Sequence, residues 1–338
     1  MNKKNEKILI LGAGNFGTCL AQHLASLGHH PTLVTRSESA AKSINQDHIN
    51  SKYLSSFKLN TNIKASSKLT PELLEPFGTI VIAVPTQTMR AVITPIKEKL
   101  RSKVIVCVSK GIEAKTLSLP SAILSSLLGK EIEEQTAYLS GPSFAIEVME
   151  KQPTAVTVAG KNKKLASFVQ NLFHAPHFRV YLSEDPIGAE IAGALKNVIA
   201  IAAGACKGLD FKENSSAALV TRGLAELTRI GVSLGANNLT FKGLAGIGDL
   251  MLTCNSDKSR NFRVGYLIAK GKSLEEAQKS LGSVAEGVVT TKAAFLLAQK
   301  KQIRASIIKA VYQVLYESWN LEKALEELLT GSAKNELE

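Results

Sequence analysis

Short apolar runs alternate with helical stretches through the first half of the chain. Five runs have the pattern of buried strands (KILIL, PTLVT, TIVIAV, KVIVCV and TAYLS), and TAVTVAG and FRVYLS are compatible with an extension of the same sheet. Strands separated by helical segments are typical of a parallel α/β sheet. After Pro186 the strands stop, and helical periodicity continues over residues 188–330. The pattern predicts an α/β domain over residues 1–185 and an all-helical domain over residues 186–338.

Composition narrows the kinds of ligand. The 338 residues suffice for about two domains, and 45% of them are apolar. The formal net charge is +12, but the lysines and arginines are scattered and form no basic block with aromatic residues. This favours small anionic ligands and disfavours nucleic acid as a partner. His174 and His177 straddle Pro176, which disfavours one helical face, so we predict no metal site.

The cysteines and the amino end indicate a soluble, cytoplasmic protein. The four cysteines, Cys19, Cys107, Cys206 and Cys254, lie far apart and form no C-x-x-C pair, which predicts reduced thiols. The segment MNKKNEK leads directly into a strand and lacks the apolar region of a signal peptide. The longest apolar run, Val198 to Cys206, is far shorter than the roughly 20 residues that a membrane span needs, so we expect no membrane insertion.

A glycine motif follows the first strand. Gly12, Gly14 and Gly17 form the pattern G-x-G-x-x-G between that strand and an amphipathic helix. The first glycine permits a tight turn, the second lets the backbone approach a pyrophosphate, and the third lets the helix pack on the strand. The motif predicts a Rossmann dinucleotide-binding domain, although a tight turn without a ligand has the same pattern.

The residue after the second strand bears on the choice of dinucleotide. NAD-specific folds place an acidic residue about 20 positions after the glycines, where it binds the ribose 2′-hydroxyl. Here the run PTLVT is followed by Arg36, whose guanidinium suits the 2′-phosphate of NADP. NADP is therefore favoured over NAD, and the alternative for Arg36 is a surface residue that stacks on the adenine.

Three distinctive loops follow predicted strands, at the edge where open α/β sheets bind ligands. They contain Pro85-Thr86, Ser109-Lys110-Gly111 and Gly141-Pro142-Ser143. Ser143 is a suitable N-cap for a helix FAIEVME, which would add backbone N–H groups and a positive helix end. Lys110 then lies at the rim of the cofactor site, unless it is an ordinary solvated loop lysine.

The second half contains a buried helix, GALKNVIAIAAGA, with a single lysine. The helical neighbours of Lys196 are small or apolar, so its ammonium is either partly desolvated or extends past the helix to water. The segment GLAGIGDLMLTCNSDKSRNFRVG gathers glycines and polar residues, among them Asp249 and the triplet Ser259, Arg260 and Asn261. The triplet opens a helix and suits a phosphate, or it is a capped loop with Asp249 as a turn residue.

Together these motifs resemble the bacterial-type NAD(P)-dependent glycerol-3-phosphate dehydrogenases. The resemblance covers nearly the whole chain, through GAGNFGT, SKGIE, LSGPSFAIEV, FRVYLSEDPIGAEIAGALKNVIAIAAG, GLAGIGDLMLTC, SRN and AEGVVT. It implies a Rossmann domain followed by an all-helical substrate domain, with NADP or NAD as cofactor. It also implies interconversion of dihydroxyacetone phosphate and sn-glycerol 3-phosphate, which supplies phospholipid synthesis. The sequence leaves a homodimer open.

The resemblance further implies roles for individual residues. Lys196 is expected to donate and accept the proton, with Asp249 and Lys110 as the other catalytic residues. The expected substrate contacts are Lys110, Gly141, Ser143, Lys196, Asp249, Ser259, Arg260 and Asn261. The expected cofactor contacts, with the motif glycines, are Gly12, Gly14, Asn15, Phe16, Gly17, Arg36, Lys110, Ala145, Arg260, Val284 and Glu286.

Two other functions fit parts of the sequence. A β-hydroxyacid dehydrogenase also joins a Rossmann domain to a helical one and uses a helix lysine, but its carboxylate substrate needs no phosphate site such as Ser259-Arg260-Asn261. A non-catalytic dinucleotide sensor would bind NADPH without turnover, and it gives no reason for a buried Lys196. Assays with phosphorylated and unphosphorylated substrates distinguish the three functions.

Overall fold

Strands of the first half form one sheet in a computed structural model, which describes residues 5–282 and 285–329. Within that part of the chain the strand order is β3-β2-β1-β4-β5-β6-β7-β8. The strands are β1 (Lys7–Leu11), β2 (His30–Val34), β3 (Lys64–Ser66), β4 (Thr79–Ile82), β5 (Val104–Cys107), β6 (Thr136–Ser140), β7 (Thr154–Ala159) and β8 (Phe178–Ser183).

Helices connect the strands and make up the second half. Those between strands are α1 (Asn15–Ser26), α2 (Glu38–Lys42), α3 (Met89–Ile93), α4 (Lys97–Leu100), α5 (Pro120–Leu128), α6 (Ala145–Met149) and α7 (Lys163–Phe173). After β8 come α8 (Pro186–Gly208), α9 (Glu213–Ser233), α10 (Asp249–Cys254), α11 (Arg260–Ala269), α12 (Leu274–Leu281), α13 (Glu286–Lys300), α14 (Ser306–Tyr316) and α15 (Leu321–Leu329). The helical second half agrees with the pattern of the sequence.

The sheet departs from the prediction in two respects. Neighbouring strands are parallel except β6 and β7, which are antiparallel, so the sheet is mixed. The chain returns beside β6 through the short helix α6 instead of crossing over a face of the sheet, and such a direct return gives an antiparallel pair. The edge strand β3 is absent from the prediction because its three residues, KAS, contain no apolar run.

The part of the sheet from β3 to β6 has the Rossmann strand order. Strand β1 lies between β2 and β4 and is covered on both faces. Ile8 and Ile10 pack into the core on one face, and Leu9 and Leu11 pack into the core on the other. The direction of the strand order reverses at β1, which creates a crevice at the carboxyl ends of the strands.

Helix α8 is the centre of the helical half. All its residues except Ile187 and Lys207 are buried. Helix α11 lies so close that a Cβ at Gly204 would overlap the carbonyl group of Phe262. By length and composition alone α8 could cross a membrane, although its longest apolar run is short. The stretch of α8 that is apolar enough to do so is, however, entirely buried within the protein. This burial is that of a core helix.

The sheet gives way to the helical half between the end of β8 and the start of α8. Strand β8 ends at Ser183, and Asp185 caps α8 by accepting the Gly188 N–H at 3.0 Å. The other Asp185 oxygen accepts the Thr240 hydroxyl at 2.6 Å, which ties the junction to the segment before α10. The four cysteines are buried and unpaired, in agreement with reduced thiols.

Candidate active site

The turn between β1 and α1 contains the glycine motif and lies where the strand order reverses. Gly12 has a φ of +114°, and a Cβ there would lie 2.6 Å from the Ala83 carbonyl oxygen. A Cβ at Gly17 would overlap the Gly12 carbonyl oxygen, because α1 packs directly on the turn. A Cβ at Gly14 would have no such neighbour within 4 Å, which leaves the backbone accessible to a ligand. The loop therefore fits a dinucleotide pyrophosphate.

The first turn of α1 adds a site for an anion. Gly14 is the N-cap of α1 and has no side chain that could accept a hydrogen bond from the first N–H groups of the helix. These groups and the helix dipole favour a phosphate. Asn15 and Phe16 begin the helix and are half-buried. Arg36 lies exposed two residues beyond β2, at the position where this fold binds the ribose of a dinucleotide.

Lys110 follows β5 in a loop that the segment after β4 holds in place. The Gln87 side chain donates from Nε2 to the Ile112 carbonyl oxygen at 2.7 Å. Its Oε1 accepts the Ala114 N–H at 3.0 Å. Because one side chain binds the backbone on both sides of residue 113, it fixes the loop relative to the end of β4.

Lys110, Lys196 and Asp249 form one ionic network. Asp249 Oδ1 accepts from Lys196 Nζ at 2.5 Å, and Asp249 Oδ2 accepts from Lys110 Nζ at 2.7 Å. Thr253 lies one turn after Asp249, accepts from Lys196 Nζ at 2.8 Å and donates to the Asp249 carbonyl oxygen at 2.6 Å. Lys196 is 8% exposed and Asp249 is 1% exposed. The network joins the loop after β5 to α8 and α10.

Burial and charge set the protonation of this network. Burial lowers the pKa of Lys196 to about 8, with Asp249 opposing this shift and Lys110 adding to it. Burial alone would raise the pKa of Asp249, but the two ammonium groups outweigh it and hold that pKa below its usual range. Lys196 therefore exchanges a proton near neutral pH while Asp249 stays ionised. The alternative that Lys196 extends to water is wrong, because its ammonium ends on Asp249 and Thr253.

The start of α11 contains the residues expected to bind a phosphate. Ser259 is the N-cap, and its Oγ accepts the Phe262 N–H at 3.2 Å. Asn261 Oδ1 accepts the Gly287 N–H at 2.9 Å, which joins the first turns of α11 and α13. Arg260 is exposed at the first position of α11. An arginine therefore occupies the first position of a helix, and guanidinium groups and helix-start N–H groups both bind phosphate well.

The loop after β6 passes close to β7. Gly141 has a φ of +134°, and a Cβ there would lie 3.0 Å from the Cα of Val156. Ser143 Oγ donates to the Gly141 carbonyl oxygen at 3.1 Å. The prediction that Ser143 caps the next helix is wrong, because its hydroxyl bonds within its own turn and Phe144 is the N-cap of α6. The helix begins at Ala145, one of the expected cofactor contacts.

Glu286 begins α13 and shares this region with Arg260. Burial raises the pKa of Glu286 to about 7, and the charge of Arg260 opposes the shift. The carboxyl therefore changes its charge near neutral pH. Val284, another expected cofactor contact, lies outside the described residues.

Two residues of the site, Thr253 and Gln87, carried no assigned role in the sequence analysis. Asp249 and Thr253 are four residues apart on α10, and this i, i+4 spacing could have indicated that Thr253 faces Lys196. No sequence signal marks Gln87, since it binds backbone groups 25 and 27 residues away. Over residues 5–282 and 285–329, no group of three or more His, Cys, Asp or Glu could hold a metal ion. The absence of a metal site stays a prediction.

Comparison with known proteins identifies the family. Residues 7–166 match the model of the NAD-dependent glycerol-3-phosphate dehydrogenase N-terminus, and residues 185–326 match that of its C-terminus. The chain belongs to the NAD-dependent glycerol-3-phosphate dehydrogenase family. The second matched segment begins at residue 185, where the sheet gives way to the helices.

Relatives within the glycerol-3-phosphate dehydrogenase family cover almost the whole chain. A glycerol-3-phosphate dehydrogenase (NAD(P)+) of Leptospira biflexa is 45% identical over 331 residues, 98% of this chain and 99% of its own. One of Halalkalibacterium halodurans is 44% identical over 334 residues, 98% of this chain and 96% of its own. The crystal structure of glycerol-3-phosphate dehydrogenase from Coxiella burnetii aligns with a TM-score of 0.90 at 35% identity, over 96% of this chain and 99% of that one. The predicted resemblance, fold class and NAD(P) cofactor are confirmed.

Proposed function

We propose that the protein interconverts dihydroxyacetone phosphate and sn-glycerol 3-phosphate with NADPH or NADH and so supplies phospholipid synthesis. The observation that carries this proposal is the buried network in which Asp249 accepts from both Lys196 and Lys110. A ketone reductase needs a proton donor in a water-poor site beside its dinucleotide, and Lys196 meets this need. The names of the relatives described above support the choice of substrate.

Lys196 is the proton donor and acceptor. The bound dinucleotide supplies or takes up the hydride. Reduction at the ketone carbon leaves negative charge on the oxygen, and the Lys196 ammonium transfers a proton to that oxygen. Oxidation begins with the neutral amine of Lys196, which takes the hydroxyl proton. Its pKa of about 8 supports both directions, because ammonium and amine are both populated near neutral pH.

Asp249 and Lys110 adjust the charge and position of Lys196. Asp249 holds the Lys196 Nζ through Oδ1 and keeps the ammonium from losing its proton entirely to burial. Lys110 binds the other carboxylate oxygen, and its side chain is 21% exposed against 10% for Lys196. Lys110 is therefore the more accessible ammonium, and we assign it to contact both the substrate and the dinucleotide.

The substrate phosphate binds where α11 begins. Arg260 supplies the guanidinium, and Ser259 and Asn261 flank it at the helix start. Gly141 and Ser143 complete the substrate site from the loop after β6. Binding at the nonreacting phosphate holds the ketone carbon in place for hydride transfer, so it contributes to the rate as well as to affinity.

The dinucleotide binds across the turn between β1 and α1. Gly12, Gly14 and Gly17 shape the pyrophosphate site. Arg36 binds the 2′-phosphate and favours NADP over NAD. The other cofactor contacts that we propose are Asn15, Phe16, Lys110, Ala145, Arg260, Val284 and Glu286.

We also propose the division into a Rossmann domain over residues 1–185 and a helical domain over residues 186–338. The end of β8 at Ser183 and the start of α8 at Pro186 support this boundary. A cytoplasmic location is our expectation, with which the buried, unpaired cysteines are compatible. The homodimer stays a hypothesis, and light scattering of the purified protein would measure the mass in solution.

A spectrophotometric assay tests the proposed reaction. We expect rapid NADPH oxidation with dihydroxyacetone phosphate and little with unphosphorylated dihydroxyacetone, since the phosphate site then stays unused. Activity with hydroxyisobutyrate and NADP, but none with glycerol 3-phosphate, would instead identify a β-hydroxyacid dehydrogenase. Binding of NADPH without turnover of any of these substrates would identify a dinucleotide sensor.

A further inference from the structure

A buried asparagine from a distant segment is hydrogen-bonded to the glycine turn. Asn50, between α2 and β3, is 1% exposed. Its Nδ2 donates to the Ala13 carbonyl oxygen at 3.0 Å and to Thr18 Oγ1 at 2.8 Å. Its Oδ1 accepts the Tyr53 N–H at 3.3 Å. Both ends of the Asn50 amide therefore have partners, and one partner is the residue between the first two glycines of the motif.

The Ala13 carbonyl group receives a second hydrogen bond from the helix that follows the turn. Thr18, near the start of α1, is 0% exposed, and its Oγ1 donates to the Ala13 oxygen at 3.3 Å. The same Oγ1 accepts from Asn50, so the three groups are linked to one another. Donors from two separate segments thus hold this carbonyl group toward the protein interior.

The direction of this carbonyl group fixes that of the Gly14 N–H. The peptide bond between Ala13 and Gly14 is trans, so its C=O and N–H point in opposite directions. Because the oxygen points to the buried Asn50 and Thr18, the Gly14 N–H points away from them. Gly14 is also the glycine with open surroundings, since a Cβ there would have no neighbour within 4 Å. The N–H is therefore directed to the side that we assign to the pyrophosphate.

A glycine at position 14 also permits the opposite orientation. A half-turn of the peptide plane would exchange the C=O and the N–H and would change the φ of Gly14 from −74° to a positive value. Positive φ is unfavourable for other residues but accessible to glycine. The turned peptide would present a carbonyl oxygen to the phosphates, and the two negative groups would repel each other. Close approach of the ligand therefore requires both a glycine and a contact that holds its peptide plane.

We propose that Asn50, together with Thr18, is a positioning residue for the dinucleotide. The two side chains lock the peptide plane between Ala13 and Gly14 with its N–H toward the pyrophosphate. The inference rests on the proposed dinucleotide site at the turn between β1 and α1. It adds to that site two residues that act through the backbone of the turn.

Two fragments of the cofactor test this role by isothermal titration. One, 2′-phospho-ADP-ribose, contains the pyrophosphate, and the other, adenosine 2′-phosphate, lacks it. Asn50→Leu keeps the approximate size of the side chain and removes its hydrogen-bonding groups. It should weaken binding of 2′-phospho-ADP-ribose about three- to tenfold, the effect of one hydrogen bond, and leave binding of adenosine 2′-phosphate unchanged. An asparagine that only stabilises the fold would affect both fragments alike.

Asn45→Leu is the matched control. Asn45 is an exposed asparagine of the same segment, and its side chain also binds backbone groups. Its Nδ2 donates to the Ala65 carbonyl oxygen at 2.9 Å, and its Oδ1 accepts the Ala65 N–H at 2.8 Å, in β3. This variant should keep the wild-type ratio of the two dissociation constants. Thr18→Val should change the ratio in the same direction as Asn50→Leu, and Thr18→Ser, which keeps the hydroxyl, should restore it.

Equal losses for both fragments, or unchanged binding of 2′-phospho-ADP-ribose to Asn50→Leu, would overturn the inference. If Asn50→Leu does not fold, the Thr18→Val titration decides, because Thr18 also donates to the Ala13 carbonyl oxygen. The titration contains no ketone, so it is independent of the proposed reaction. Failure of the wild type to bind 2′-phospho-ADP-ribose would reject the proposed dinucleotide site together with the inference, whereas normal binding with an unchanged ratio in the variants would reject the inference alone.

Discussion

Replacing Asp249 by asparagine tests whether this carboxylate sets the pKa of Lys196. Asp249 lies between two ammonium groups, 2.5 Å from Lys196 Nζ and 2.7 Å from Lys110 Nζ. The amide of asparagine has nearly the same shape, so the change is mainly the loss of one negative charge. Since Asp249 raises the pKa of Lys196 against burial, the substitution should lower that pKa below its wild-type value of about 8.

The size of the shift follows from the contact distance. An opposite charge in direct contact changes a pKa by roughly one to three units. A fall of about two units would reduce the protonated fraction of Lys196 at about pH 7.5 by roughly 25-fold, and ketone reduction would slow accordingly. Oxidation needs the neutral amine, so its acidic limb should move to lower pH instead.

Lys110→Met should have the opposite effect on the same pKa. Lys110 lowers the pKa of Lys196 by repulsion, so removing its charge should raise that pKa. The assay is kcat/KM against pH in both directions, because this quantity reports the ionisations of the free enzyme. Lys115→Met is the control, since Lys115 is an exposed lysine of the loop that contains Lys110. If the Asp249 and Lys110 variants shift the limb in the same direction, or not at all, the observed ionisation is not that of Lys196 in this network.

Substitutions at three further residues test the proposed roles. Lys196→Met should leave cofactor binding nearly intact and lower kcat by at least about a hundredfold, as for loss of a positioned acid or base; near-normal turnover in a folded variant would reject its catalytic role. Arg36→Ala should weaken NADPH much more than NADH in binding titrations, because only NADPH has the 2′-phosphate. Equal losses would assign Arg36 to adenine stacking or to the surface. Arg260→Ala should lose most of the preference in kcat/KM for dihydroxyacetone phosphate over dihydroxyacetone, and Arg260→Lys should restore little, because an ammonium lacks the planar fork. A preference that survives would mean that the phosphate binds elsewhere.

Features that depend on neighbouring residues could be predicted from the sequence. Gly12 and Gly17 were expected to allow a turn and close packing, and the structure has both because each constraint involves only a strand and the helix that follows it. The segment GALKNVIAIAAGA is predicted as a buried helix because the neighbours of Lys196 on the helix are small or apolar, and the structure buries this segment within α8. The motif resemblance named the candidate site residues, but it gave no distances or charges for them.

Features that depend on distant residues were decided by the tertiary structure. Asp249 meets Lys196 across 53 positions and Lys110 across 139, and no local pattern specifies such contacts. The pKa of Lys196 depends on these contacts and on how much water the surrounding helices exclude. The antiparallel return of β7 is likewise decided by which sheet edge is still unpaired when the chain reverses, a property of the assembled sheet. The sequence by itself predicted most of the elements and the chemistry-bearing residue types at their ends. Packing determined which of those residues share one charge network, because electrostatic coupling acts through space and not along the chain.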